Sequence, residues 1–133
     1  MGALDQAEAN RLLNSSIFLT AYTAGSTPMK LALFSVIGSA SAAGTEVTGG
    51  SYARASLGTG GSTIFPTTGT NGSVTNSNGA ISYTNMPAIT TVAVEIYDNA
   101  SRRQWWGALT ANKTTALGDT LTFAVSSLTI TLA

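Results

Sequence analysis

A chain of 133 residues with six basic and six acidic side chains, no cysteine and no histidine excludes most catalytic chemistry at the outset. Disulfides, thiolate metal sites, cysteine nucleophiles, Ser-His-Asp triads and histidine-held zinc cannot be built from it alone, and no cofactor or metal is expected. Zero net charge removes the general electrostatic case for nucleic acid or a membrane surface as partner, while a chain only 9% charged is poorly protected against association and suits packing against other subunits.

The length fits one domain, read as an N-terminal helical arm over residues 1–16 followed by a single β-domain over 17–133. The opening stretch "MGALDQAEANRLLN" holds acids and no long apolar run, so it does not read as a secretory signal. In it Asp5 stands as a helix cap with Glu8 three residues on, the spacing of a capping box. Ala9, Leu12 and Leu13 then share one helical face. So short a helix must dock, either on its own sheet or on a neighbouring subunit. The longest apolar stretch, "IFLTAY", is far too short to span a bilayer.

After the helix the hydrophobic period falls to two. "PMKLALFSVIG" alternates Leu31, Leu33 and Ser35 against Lys30, Ala32 and Phe34. "EVTGGSYARASLG" extends again, with a bulge or bend expected at Gly49 and Gly50. Residues 58–72 read as a long loop. "SVTNSNGAISYTNMP" places Asn78 and Gly79 between two extended pieces, which predicts a hairpin. "AITTVAVEIYDN" sets Val92, Val94 and Ile96 against Ala93, Glu95 and Tyr97, the pattern of a half-buried strand. The turn "DNAS" then leads into "RRQWWGALT" as its antiparallel partner. At the end Leu121, Phe123 and Val125 lie on one parity and Leu128, Ile130 and Leu132 on the other, so Ser126 and Ser127 must carry a turn or bulge. These elements predict a mainly β fold: a compact antiparallel β-sandwich or small barrel of about seven or eight strands with a short N-terminal helix.

The acids find structural uses. Asp5 and Glu8 serve as caps, Asp98 and Asp119 sit in turns, and Glu46 and Glu95 fall on the polar faces of strands. The glycine-rich stretches lack the strand–turn–helix setting of a phosphate loop. In "SRRQWWGALT" the rarest residues of the chain gather. Trp105 and Trp106 must point to opposite faces of a strand, one into the core and one outward. A tryptophan beside arginines reads first as core plus subunit contact, ahead of a carbohydrate surface, a nucleic-acid surface or a catalytic site. The interface candidates are therefore Leu12, Leu13, Ile17, Arg102, Arg103, Trp105 and Trp106.

The stretches "LDQAEANRLLNSSI", "STPMKLALFSV", "AAGTEVTGGSYARASL" and "AVEIYDNASRRQWWGALTANKTTALGDTLTFAVSSLTITLA" cover nearly the whole chain. In them the sequence resembles small virion proteins of tailed bacteriophages, especially those of actinobacteria, variously described as capsid decoration, minor capsid or minor tail and fibre proteins. The most specific blocks run from Gly44 to Arg54 and from Trp106 to Thr120. The resemblance implies a non-enzymatic virion component. Its first implied place is the capsid surface, bound to the major capsid protein and to itself, often at three-fold positions as a homotrimer. The alternative is a tail-fibre component facing host glycans.

Overall fold

A computed structural model describes residues 3–58, 63–66 and 68–132. Within them lie one helix, α1 (Gln6–Ser16), and ten strands: β1 (Ala3–Leu4), β2 (Lys30–Val36), β3 (Thr45–Glu46), β4 (Ala55–Ser56), β5 (Ser73–Thr75), β6 (Ile81–Tyr83), β7 (Ile89–Tyr97), β8 (Arg103–Thr115), β9 (Leu121–Phe123) and β10 (Thr129–Thr131). All the strand pairings are antiparallel. The fold is mainly β, and among the described residues no sheet closes on itself, so the sandwich is realised and the barrel is not. The strand count exceeds expectation because β1, β3 and β4 are two-residue pieces, too short to leave an alternation in the sequence.

The larger layer runs β1-β8-β7-β2, with β3 and β4 sharing the free edge of β2. The interruption expected at Gly49 and Gly50 lies between those two strands. Both residues have positive φ, and a Cβ on Gly50 would stand 2.4 Å from the Asn85 carbonyl oxygen, so the bend needs glycine. Where β3 has ended and β4 has not begun, the edge of β2 lacks a strand partner. The Tyr52 hydroxyl fills the gap, accepting from the Leu33 N–H at 2.9 Å and donating to Glu46 at 2.9 Å.

The second layer corrects the predicted hairpin. β5 and β6 flank Asn78 and Gly79 but do not pair with each other; β5 pairs with β10 and β6 with β9. Thr75 faces Thr129, and Ile81 faces Phe123 after five unpaired residues on each side, so the two short ladders share one register and form one interrupted ribbon. The interruption is stitched by the buried Asn76. Its Oδ1 accepts from the Leu128 N–H (2.8 Å), and its Nδ2 donates to the carbonyls of Ala124 (2.9 Å) and Gly79 (3.0 Å). Its backbone N–H donates to the Leu128 carbonyl, and its carbonyl accepts from the Ser126 N–H. These bonds hold the pieces so that the long-range ladder replaces the local turn. Ser126 has a positive φ of 63°, so the turn expected at Ser126 and Ser127 is present and resolves the parity break.

Between the layers Leu31, Leu33, Val94 and Ile96 of the sheet meet Ile81, Tyr83, Leu121, Phe123 and Leu128 of the ribbon, with Val47, Leu57 and Met86 filling the ends. Of the loop expected over residues 58–72, residues 59–62 and 67 lie outside the described residues; Phe65 joins this core. The opposite face of the sheet is also covered. Ala32, Phe34, Ala93 and Tyr97 form a second apolar cluster, and Glu95 is buried beside them. β7 is therefore not half-buried, and Glu95 does not lie on a polar face. Alternation marks the two faces but does not reveal that the second one has a lid.

Replacing Asn76 by Leu leaves the Leu128 N–H buried without its acceptor, at about 1–3 kcal/mol for such a group, while the Ala124 carbonyl keeps its bonds from Ser127. Chemical denaturation of Asn76→Leu is expected to show a stability loss of about 1–3 kcal/mol with an unchanged denaturant slope.

A buried ion cluster and the surface it turns outward

The lid over the second face is the N-terminal segment together with residues 38–44. Asp5 caps α1 as expected, its Oδ1 accepting from the Ala7 N–H at 2.9 Å. The capping box does not close. The Asp5 N–H donates to the Gln104 carbonyl (2.9 Å), and Glu8 points inward instead of back along its own helix. The Glu8 carboxylate accepts from Arg11 at 2.7 Å and from the Tyr22 hydroxyl, and pairs with Arg102 at 3.4 Å.

Arg103 makes the most bonds of these groups. Its guanidinium bonds Asp5 (2.7 Å) and Glu95 (3.2 Å) and the carbonyls of Ser39 (2.7 Å), Ala40 (3.0 Å) and Ala42 (2.8 Å). Every donor of the planar fork thus has an acceptor. Glu95 is satisfied in turn by the Gly44 N–H (3.0 Å) and the Tyr97 hydroxyl (2.6 Å). The loop can approach this closely only without a side chain: a Cβ on Gly44 would stand 2.1 Å from the Val36 carbonyl oxygen.

A β-bulge makes the arrangement possible. Ile96 faces Trp105 and Tyr97 faces Arg103, so Gln104 is an extra residue on β8. In a regular strand Arg103 and Trp105 would share a face. The extra residue turns Arg103 onto the face of Glu95 and Tyr97. Trp105 packs on the inter-layer core, while Trp106, half-buried, donates its indole N–H to the Leu4 carbonyl at 3.3 Å. The two indoles therefore divide between the faces as expected, and each is met by the chain itself.

The seven interface candidates do not form one site. Arg103 is buried, and Arg102 is turned toward Glu8, Asp98 and the Thr23 carbonyl, so both cations are consumed inside the chain. Leu12 is half-buried, whereas Leu13 is 52% and Ile17 65% exposed. Phe18 at 72% and Leu19 at 86% extend the same apolar surface, with Tyr22 beside them. These last three residues were missed; the signal was the uncharged run between Arg11 and Lys30. A separate cavity of about 390 Å³ opens between the layers, walled by Met29, Leu57, Phe65, Ile96, Trp105 and Ile130.

The remaining acids are spoken for. Asp98 accepts from the N–H groups of Arg102 (2.8 Å) and Ser26 (3.1 Å), and Asp119 from that of Ala116 (2.8 Å). Burial opposes ionisation of Asp98, but the backbone donors and the Arg102 charge outweigh it and hold its carboxyl below the usual value. Glu46 is held low by its hydrogen bonds from Arg54, at 2.8 and 2.9 Å, which outweigh its burial. Among the described residues no three acids gather as metal ligands.

The family model described as Podophage GP4 fiber I protein gp80 matches residues 3–131. No curated protein matches the chain.

Removing Arg103 strands the carboxylates of Asp5 and Glu95 in a dry site, and breaking such a buried pair costs about 3–5 kcal/mol. Equilibrium unfolding of Arg103→Ala is expected to show that loss, with limited proteolysis cutting first near the N-terminus. The four tyrosines supply a second readout. Burial, as the first cause, raises the ionisation of Tyr22, Tyr52, Tyr83 and Tyr97 above the ordinary tyrosine value. A raised folded-state value gives stability that is whole below the unfolded value of about 10 and is lost as pH climbs past it. Native protein at about pH 10 is therefore expected to lack phenolate absorbance, which should rise together with loss of the β circular dichroism signal.

Proposed function

The chain belongs to the podophage GP4 fiber I protein gp80 family, and from that premise we propose that this bacteriophage structural protein is a tail-fibre component, set where the particle meets host-surface glycans. The observation that carries the reading is the family match over residues 3–131, nearly the full chain, to proteins described as fibre. That description favours the tail over the capsid lattice, to which the sequence resemblance first pointed with the major capsid protein as partner.

The physical properties fit a component that works by contact. More than half of the chain's acids and bases sit in or beside the cluster around Glu8 and Arg103, where they fix its own segments to one another. Leu13 and the apolar residues just past α1 stay open, and the cavity wall includes the indole of Trp105, a flat ring of the kind on which a sugar stacks. Self-association belongs to the same proposal, because repeated weak contacts gain strength by acting together.

Counting copies in purified particles by quantitative mass spectrometry, with gold-labelled antibody to mark their position, tests the placement. A handful of copies with label at the tail is the expected result. Hundreds of copies spread over the head would return the protein to the capsid lattice, and its absence from particles would remove it from the virion.

A further inference from the structure

We propose that the last turn of α1, with Leu13, and the uncharged segment after it form a self-docking surface, seated against the same surface of a second copy of this chain. The inference rests on the reading of the protein as a virion building block and names the partner of one surface.

The first ground is an inversion of burial. A surface helix ordinarily turns its apolar stripe to the core and its charges to water. In α1 the side chain driven inward is Glu8, 1% exposed, while Leu13 and, one turn on, Ile17 stay mostly open, as do Phe18 and Leu19. The ion cluster sets this orientation, because Glu8 must reach Arg102 and Tyr22 and Asp5 must reach Arg103. The patch is held in shape. The Asn14 carbonyl accepts from the N–H groups of both Phe18 (3.2 Å) and Thr20 (3.0 Å), closing the helix end. Leu19 takes a positive φ of 55°, so the backbone that carries Phe18 and Leu19 forms a tight corner.

The second ground is charge. Between Arg11 and Lys30 the sequence has no acid and no base, and the whole chain has no net charge. Two copies can therefore meet patch to patch with no like-charge penalty, and nothing on the surface selects a charged partner instead. A surface that meets itself about a symmetry axis must be self-complementary, and a neutral apolar one satisfies that condition.

The third ground is area. With large side chains of about 150–250 Å² each, the open fractions of Leu13, Ile17, Phe18, Leu19 and Tyr22 sum to roughly 600 Å² per copy. Two copies then bury about 1,200 Å², the lower edge of the range for specific stable interfaces. On one molecule in water, a patch this large is at the upper end of what monomers expose.

Sedimentation velocity and light scattering on the full chain test the contact. Leu13→Lys and Phe18→Lys change exposed side chains, so their melting temperatures should match the parent while self-association weakens at least tenfold. The absence of cysteine adds a proximity probe: Phe18→Cys carries the sole thiol, and mild oxidation should link it into dimers, suppressed when Leu13→Lys is added. A parent chain that stays monomeric at the highest attainable concentration, or lysine variants that associate undiminished, would overturn the proposal. If the parent is monomeric yet the lysine variants disappear from particles, the patch seats on a different virion protein, and self-docking fails while the fibre reading stands. Association in solution with no protein in particles would uphold the contact and sink the fibre reading.

Discussion

A single buried guanidinium organises one whole side of this molecule. A cation taken out of water must find an acceptor for each of its N–H groups or the site does not form. Arg103 finds them on three separate segments: Asp5 before α1 and the carbonyls of Ser39, Ala40 and Ala42, both distant in sequence, and Glu95 on the neighbouring β7. Satisfying that one group fixes where the N-terminus lies, how closely residues 38–44 approach the sheet, and which face of β8 is covered. The bulge at Gln104 and the bare Cα of Gly44 are the local concessions that let it happen.

The orientation of α1 follows. A short helix has little stability of its own, so what it docks with decides how it sits. Here charged and hydrogen-bonding groups do the docking, through Asp5 and Glu8, and no apolar side chain of the helix is fully buried. Of its apolar side chains Ala9 and Leu12 are half-buried and Leu13 is left open. The ion cluster thus sets which apolar residues at the helix end stay exposed.

The other side of the sheet rests on a different device. Residues 73–83 and 121–131 run together as one ribbon whose middle cannot pair, and the side chain of Asn76 supplies the bonds that the backbone there does not. Asn78 and Gly79 carry a strong hairpin signature, yet the strands beside them pair with partners some fifty residues away. Local turn chemistry lost to a longer ladder that also buries Ile81, Tyr83, Leu121 and Phe123 against the sheet.

Much of the fold was legible in the residues alone. Period-two runs located β2 and β7, the turn after β7 placed β8 as its partner, the parity change located the turn at Ser126, and adjacency on a strand sent Trp105 and Trp106 to opposite faces, because each of these depends only on the geometry of a few neighbouring residues. The candidate surface was half legible: Leu13 and Ile17 were marked as contact residues and are open, while Phe18, Leu19 and Tyr22 passed unnoticed. Arg103, Glu8 and Glu95 could not be placed from sequence at all. Whether a charge faces water or is enclosed depends on which distant acceptors come within reach, and a one-residue bulge reverses the answer. Composition and periodicity determined a mainly β fold, sandwich or small barrel, with few ionisable side chains. Only the tertiary structure decided which of its few charges went inside and, through them, which of its apolar residues stayed out.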